Sequence, residues 1–444
     1  MAVCAVLAAS CTGARTPSLD RSAVDFPLKV GPTGRYLVDG RGKPFLVVGD
    51  APQALMVNLT TAEAESYLSD RKAHGFNAVW INLLCADYTG GRPDAGTIDG
   101  LKPFARTNDF ATPNEAYFAH CDGVVRCAAK HGITVFLDPA ETGSFLKVMR
   151  SNGPEKCRAF GRYLGRRYRS FDNIVWMSGN DFQTWKTPAD DDVVTAVALG
   201  IKDLDKRHIH TVELDYDLSS SYNDPNWARI ASLNAAYTYF PTYAEVLRDY
   251  ALRPAVPVFM VESDYEFENG ADTGRLRREE YWAYLSGACG VLYGNGYVWP
   301  FKAGWQSKLD TVGVEQLGYC KALLTAVPWH DLVPDASHRV LISGYGTFDS
   351  GGSAHGGISS NDYVACAATL DGKWMLAYLP KARTVTVDMA RLTGAVQGRW
   401  FDPTNGRYSP VAAESLSNSG LRPFSPPAAN SAGASDWVLV LHAR

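Results

Sequence analysis

The 444-residue chain carries no run of basic residues and no large excess of either charge: 43 Lys and Arg stand against 47 Asp and Glu, a net charge of −4. A nucleic-acid or anionic-membrane surface is therefore not expected. No CxxC pair and no cluster of zinc-like spacing occurs, so no metal is expected. After the first residues no apolar run approaches the roughly 20 residues that span a bilayer, and no transmembrane segment is expected. The candidate strand ends described below also lack a Gly-rich phosphate cradle, a GxSxG elbow and a lysine placed for a Schiff base. No organic cofactor is expected.

What is abundant is apolar and aromatic: 46% of residues are hydrophobic, 20% charged and 11% aromatic, with 11 Trp, 22 Tyr and 18 Phe. A large core is available without oligomerisation, and disorder as the main state is excluded. Oligomeric state itself is not read from these numbers. Flat aromatic faces serve a large core as well as a cleft that stacks on ring-shaped ligands, so composition leaves both open.

Residues 1–10 form a short, small-residue apolar run ending at Cys11, followed by a polar stretch up to Asp25. The pattern predicts an export signal and disordered leader over residues 1–25, although the basic segment that ordinarily opens such a signal is missing. Ala8-Ala9-Ser10-Cys11 loosely matches a lipoprotein cleavage site, which makes Cys11 a candidate lipid anchor. The expected locations are the periplasm, the outer membrane as a lipoprotein, or the outside of the cell. Cys85, Cys121, Cys127, Cys157, Cys289, Cys320 and Cys366 read as small buried hydrophobes, with one or two disulfides left open.

Residues 35–45 read as a hairpin turning near Asp39-Gly40. Eight short runs then follow, each apolar almost throughout: 45–49, 78–84, 133–137, 174–177, 210–214, 233–239, 258–261 and 290–293. Such runs fit strands buried on both faces. Helical stretches alternate with them. Thr60-Thr61-Ala62-Glu63 and Thr112-Pro113-Asn114-Glu115 fit capping boxes, the second with Pro at the first helical position, and Gly75 and Gly132 fit the stops. Further helices are expected over 158–168, 190–206, 243–252, 276–288 and 314–326. Eight alternations over about 280 residues predict an α/β fold of TIM-barrel type, a (β/α)8 barrel. After a connector over 327–335, strand-like runs at 340–342, 363–370, 373–379, 384–389, 397–401 and 437–442 carry hairpin signals at Asp371-Gly372 and Asn405-Gly406. They predict a small antiparallel β-sandwich. Residues 351–361 and 415–435 read as low-complexity loops. The expected organisation is a leader over 1–25, hairpin and barrel over 26–335, and β-sandwich over 336–444.

Reacting groups of a TIM barrel sit at the C-terminal ends of its strands. The eight runs end, in order, at Asp50 with Gln53; Asn82, Asp87 and Tyr88; Asp138 and Glu141; Trp176 through Asn180 and Asp181; Glu213, Asp215 and Tyr216; Tyr239; Glu262 through Asp264, Tyr265 and Glu266; and Asn295, Tyr297 and Trp299. Carboxylates, amides and aromatics dominate, as a carbohydrate site requires: two carboxyls act on the glycosidic bond, amides bind hydroxyls, and rings stack on sugar. Runs four and seven face each other across a barrel, which singles out Asp181 and Glu262 as catalytic candidates. Asp50, Gln53, Asn82, Glu141, Trp176, Asn180, Trp185, Tyr239, Tyr265, Asn295 and Trp299 are candidate sugar-binding residues. Asp50, Asp138 and Asp215 serve equally as helix caps, Trp185 and Trp299 as core, and His74, His131 and His208 as partners of helix C-termini. Glu141 is the rival acid.

Several longer stretches resemble the apiosidase-like glycoside hydrolases, family 140. They are Gly34-Arg35-Tyr36-Leu37-Val38-Asp39 with Gly42-Lys43-Pro44-Phe45, Gly49-Asp50, Gly75-Phe76-Asn77, and Pro113-Asn114-Glu115-Ala116-Tyr117-Phe118. Asn173-Ile174-Val175-Trp176 leading to Asp181, Glu262 with Tyr265-Glu266, and Trp400-Phe401-Asp402-Pro403 complete them. The resemblance implies a retaining hydrolase on a TIM barrel, with Asp181 as acid/base and Glu262 as nucleophile. It also implies a C-terminal β-domain from about Ser337, of a kind sometimes labelled collagen-binding by analogy. Ser178-Gly179-Asn180 stands where relatives typically show a glycine pair, and Val261 where they show glycine, so the resemblance carries the chemistry further than the sugar. The expected function is an exported retaining glycosidase acting on a plant or microbial polysaccharide or its oligosaccharides. The alternatives are a non-catalytic carbohydrate-binding protein and a cell-surface interaction protein on the same scaffold.

Overall fold

Strands without polar alternation must be covered on both sides, and the chain achieves this by laying eight of them edge to edge under a ring of helices. The computed structural model describes residues 24–216, 218–350 and 354–444. The expected leader and Cys11 lie outside the described residues. The barrel strands are β1 (Val47–Asp50), β2 (Ala78–Asn82), β3 (Thr134–Asp138), β4 (Ile174–Ser178), β5 (His210–Val212), β6 (Asn234–Thr238), β7 (Val258–Glu262) and β8 (Gly290–Tyr293). All neighbouring pairs from β5 through β1 and β8 to β6 are parallel. A short strand, Leu218–Ser220, runs antiparallel beside β6.

The seam between β5 and β6 is closed by a side chain. Ser221 Oγ donates to Val212 O at 2.6 Å and accepts from Ala235 N at 3.0 Å, so one hydroxyl spans the gap where ladder bonds would run. Ser232 N adds one bond to His210 O at 2.9 Å.

Alternation along the strands sorts their side chains between two cores. Val47, Ala78, Trp80, Phe136, Val175, Met177, Phe259 and Val261 point into the barrel, together with Leu37, Val38 and Phe45 of the N-terminal hairpin. That hairpin pairs Leu37–Val38 with Pro44–Phe45, as expected, and adds Lys29–Val30 as a third strand. Residues of opposite parity, such as Val79, Ile81, Val135 and Trp176, face the helices.

The helix Thr61–Ala73 carries the expected capping box between Thr60 and Glu63. The second expected box is not formed. Asn114 caps Glu115–Lys130 by accepting from Ala116 N, while Thr112 Oγ1 is held by Arg106 N and Asp109 O in the preceding loop. Gly75 and Gly132 follow their helices with φ of 85° and 65°. The helix expected over 158–168 begins earlier, within Thr142–Tyr168, where Gly153, at a φ of 74°, breaks the run into two helices and Pro154 opens the second.

The C-terminal region forms a six-stranded and a three-stranded antiparallel sheet. Two expectations change here. Leu332–Pro334, expected as connector, is the edge strand of the larger sheet. Leu421–Phe424, inside the expected low-complexity loop, pairs with Val385–Asp388. Met375, Ala377, Leu379, Leu439 and Leu441 of the larger sheet pack toward the smaller one. Their alternates Leu376, Tyr378, Val438 and Val440 pack on barrel helices through Tyr281, Trp282, Leu317 and Cys320. Tyr281 and Tyr378 stack with centroids 4.8 Å apart. Beside them the buried Arg277 guanidinium donates to both oxygens of Asp436 at 3.0 and 2.9 Å. The seven cysteines named above are buried and free of disulfides. Among the described residues no helix is long and apolar enough to cross a membrane.

Candidate active site

The chain leaves β4 through three consecutive residues of positive φ: Gly179 at 111°, Asn180 at 65° and Asp181 at 53°. Glycine is required at the first, because a Cβ there would stand 2.0 Å from Glu213 O. Asn and Asp are the side-chain-bearing residues that tolerate such a turn best. The turn seats Asp181 beside β5, where its backbone N donates to Glu213 Oε2 at 3.1 Å. Tyr88 OH donates to Asp181 Oδ2 at 2.7 Å, while Asp181 Oδ1 is buried and has no partner. Tyr88 comes this close because Gly143 leaves room: a Cβ on Gly143 would lie 2.0 Å from its ring.

Across the mouth, Glu262 ends β7 and receives three tyrosine hydroxyls. Tyr237 and Tyr239 each donate to Oε1 at 2.7 Å, and Tyr265 donates to Oε2 at 2.5 Å. The β6–β7 register shifts between Ala236 and Tyr237, which brings Tyr237 level with Glu262; irregularities of this kind re-aim side chains at strand ends. Tyr237 also stands near enough to lower the Asp181 pKa. An amide belt links the two sides. Gln53 Nε2 donates to Tyr265 OH at 3.3 Å, Asn180 Nδ2 donates to Gln53 Oε1 at 3.2 Å, and Trp80 Nε1 donates to Asn82 Oδ1 at 3.1 Å.

Three acids thus share one buried site, and they titrate together. Burial, opposed by Tyr88 and Tyr237, raises Asp181. Burial and the neighbouring Asp181 push Glu262 up to about 8 against its three tyrosine donors. Glu213, whose Oε1 has no partner, is raised well above the carboxylate range by burial and by Glu262 and Asp181. Asp138, deeper on β3, is raised in the same way, chiefly by burial. A site this dry holds fewer charges than acids, and of the three acids Glu262 has the most hydroxyl donors to favour its charged form.

Of the candidate sugar-binding residues, Gln53, Asn82, Asn180, Tyr239 and Tyr265 meet here. Four others do not. Asp50 points outward from β1 and is occupied by Ala51 N, Tyr67 OH and the buried Arg71 guanidinium. Trp176 also points outward, donating to Asp205 Oδ2 at 2.9 Å. Asn295 spends its amide on Tyr293 OH, Lys308 O and Tyr297 N, which fixes its own loop. Glu141, the rival acid, caps a helix: it accepts from Ser144 N at 2.7 Å and Ala86 N at 3.3 Å, and burial pushes it to about 7. Trp185 packs against the hydrophobic core with Lys186 Nζ over its ring. Trp299 is half-buried against the core inside the barrel, with Nε1 donating to Glu268 at 2.8 Å. Sequence reasoning did not select Tyr88, Glu213 or Tyr237. The parity that picks Tyr239 also picks Tyr237, two residues earlier, and Glu213 lies in the run of strand-end carboxylates.

Beyond Tyr88 opens a cleft of about 740 Å³ lined by Asp94, Lys102, Asn108, Ser144 and Lys147 among others. Two candidate metal-ligand groupings, Glu65 with Cys127 and His131, and Asp70 with His74 and Asp310, belong to the helices and loops outside the barrel mouth.

Comparison with known proteins adds independent findings. The model of the apiosidase-like catalytic domain family matches residues 32–331, and one named for a collagen-binding domain of a collagenase matches residues 356–442. No curated protein matches the chain. Among solved structures, a glycoside hydrolase family 5 protein from Bacteroides vulgatus superposes with a TM-score of 0.79 at 21% identity, covering 94% of this chain and 93% of its own. A chain described as a glycoside hydrolase superposes at 0.78 with 22% identity, covering 94% and 96%. Both share the barrel and the C-terminal sheets.

Proposed function

Because the chain belongs to the apiosidase-like glycoside hydrolases, we propose that it cleaves its glycosidic bond by double displacement, with Asp181 as acid/base and Glu262 as nucleophile. In the first step protonated Asp181 gives its proton, held on the otherwise unpartnered Oδ1, to the glycosidic oxygen. Glu262 forms an ester bond to the anomeric carbon as the leaving sugar departs. In the second step the Asp181 carboxylate takes a proton from water, whose oxygen attacks the anomeric carbon and frees Glu262. Tyr237, Tyr239 and Tyr265 hold the attacking carboxylate, and neutral Glu213 fixes the Asp181 backbone without adding a third charge. The cleft is lined by Tyr88, the hydroxyl donor to Asp181, and fits the leaving portion of an oligo- or polysaccharide.

One observation carries the reading: Glu262 accepts three tyrosine hydroxyls, as a carboxylate held ready to attack requires, while Asp181 faces it across the mouth with Oδ1 buried and without a partner. A retaining site sets its carboxyls ~5–5.5 Å apart, against the ~6.5–9.5 Å that leaves room for an inverting water. NMR of the fresh product on a glycan panel tests it, with the substrate's anomeric configuration expected. Glu262→Gln should lower kcat by at least about 10³-fold while the fold and sugar binding persist. The opposite anomer, or near-normal turnover in that variant, rejects the assignment.

A further inference from the structure

Residues 354–361 of the C-terminal region lie at the barrel mouth, where Asp349 also docks. Tyr243, buried on the helix Thr242–Tyr250 that follows β6, donates to Asp349 O at 2.7 Å and accepts from Asp349 N at 2.8 Å. Asn361 Nδ2 donates to the same hydroxyl at 2.9 Å. Arg278, from the helix Thr273–Leu285 that follows β7, donates to Ile358 O at 2.7 Å.

Between these anchors stands His355. Its backbone N donates to Tyr239 O at 2.7 Å, and its ring lies 4.5 Å from the Tyr239 ring, centroid to centroid. Its Nδ1 pairs with Asp264 Oδ1. Asp264 is itself fixed: Arg275 Nη1 donates to its other oxygen at 2.9 Å, and its backbone N donates to Glu279 Oε1 at 3.3 Å. The half-buried Tyr239 ring is therefore held between His355 on one side and the edge of Tyr237, 5.4 Å away, on the other. Tyr239 in turn donates to Glu262.

We infer that His355 is a positioning residue of the glycosidase site: it keeps the Tyr239 hydroxyl on Glu262, so the C-terminal region supplies part of the catalytic machinery. The inference rests on the reading of Glu262 as nucleophile. Removing the imidazole leaves the Tyr239 ring free to turn away, and Glu262 then loses one of three donors to its charged form. The groups facing Glu262 are Asp181, Glu213, Tyr237, Tyr239 and Tyr265; those facing His355 are Asp264, with Arg275 behind it, and Tyr239.

The test uses the full chain and a 4-nitrophenyl glycoside that the unaltered protein hydrolyses, following kcat and KM against pH. His355→Ala should lower kcat about tenfold with KM little changed, and should move the acid limb of kcat/KM upward by about half a unit to one unit. Tyr239→Phe should do the same, and the double variant should be no worse than Tyr239→Phe alone. His355→Phe, which keeps a ring against Tyr239, should recover most of the loss. An unchanged rate and limb in His355→Ala, or a loss fully additive with Tyr239→Phe, overturns the inference. Should His355→Ala fail to fold, His355→Gln, which keeps a polar group for Asp264 but no ring against Tyr239, decides: a loss of kcat with the limb moved upward supports the inference, and an unchanged rate and limb overturns it. Glu262→Gln run in parallel separates the two readings. If that variant still turns over, the nucleophile assignment fails; if it is inactive while the His355 variants behave as the unaltered protein, only the inference fails.

Discussion

Tyr265 hands its hydroxyl hydrogen to Glu262 Oε2 and takes an amide hydrogen from Gln53, so its orientation is fixed from both sides. A hydroxyl bonded to a carboxylate favours the charged form, and bonds to charged groups are worth about 1.5–3 kcal/mol. Tyr265→Phe deletes that donor without altering the ring. Glu262, already raised to about 8 by burial and Asp181, should then rise further. The acid limb of kcat/KM is expected to move up by about one unit or more, with a lower plateau. A pH–rate titration checks this, and an unmoved limb contradicts it. The same residue shows what could be read in advance. Tyr265 stands three positions after Glu262, in a polar cluster that ends an apolar run abruptly, and was recognisable as part of a site. Tyr88 was not selected, because its approach to Asp181 depends on space above Gly143, 55 positions away in the chain.

At the scale of elements, the turn after β4 decides where Asp181 sits. Gly179→Ala places a methyl group 2.0 Å from Glu213 O at a φ of 111°, where side-chain-bearing residues are strained. The backbone must shift, and with it the Asp181 N to Glu213 bond. Turnover is expected to fall at least about 100-fold with a loss of about 2 kcal/mol or more in stability; kinetics and denaturant unfolding read both. Equal stability and activity would show that the turn has slack. Strand positions were legible because near-continuous apolar runs bounded by helix signals leave few alternatives. Which way each strand-end residue points was less so. Asp50 and Trp176 end apolar runs and are expected to face the site, yet Gly49, Val175 and Met177 beside them occupy the inward positions, and period-two alternation puts the neighbours outside. The Leu421–Phe424 strand was hidden because its flanks are Ser, Asn and Pro, and only its partner Val385–Asp388 supplies the reason to extend.

For the whole molecule, acids kept dry set the dependence of stability on pH. Burial pushes Glu141, Asp249, Glu245 and Glu262 to about 7, 7, 8 and 8. In the unfolded chain such groups titrate near 4. Between about pH 4.5 and 8 the folded chain therefore holds more protons than the unfolded one, and stability falls as pH rises through that window. His210, depressed to about 3 by burial, acts in the opposite sense below about pH 6.5, but one imidazole is outweighed by several carboxyls. Scanning calorimetry from pH 5 to 9 should show the midpoint falling toward pH 8; a rising midpoint would contradict the protonation assigned to these acids. The larger C-terminal sheet has a longer-term consequence. One of its faces closes a sandwich while the other seals the barrel helices, with Arg277 and Asp436 neutralising each other at the join. Neither half can be exchanged for a relative's by recombination unless the matching face travels with it, so barrel and sheet are bound to descend together as a single heritable unit.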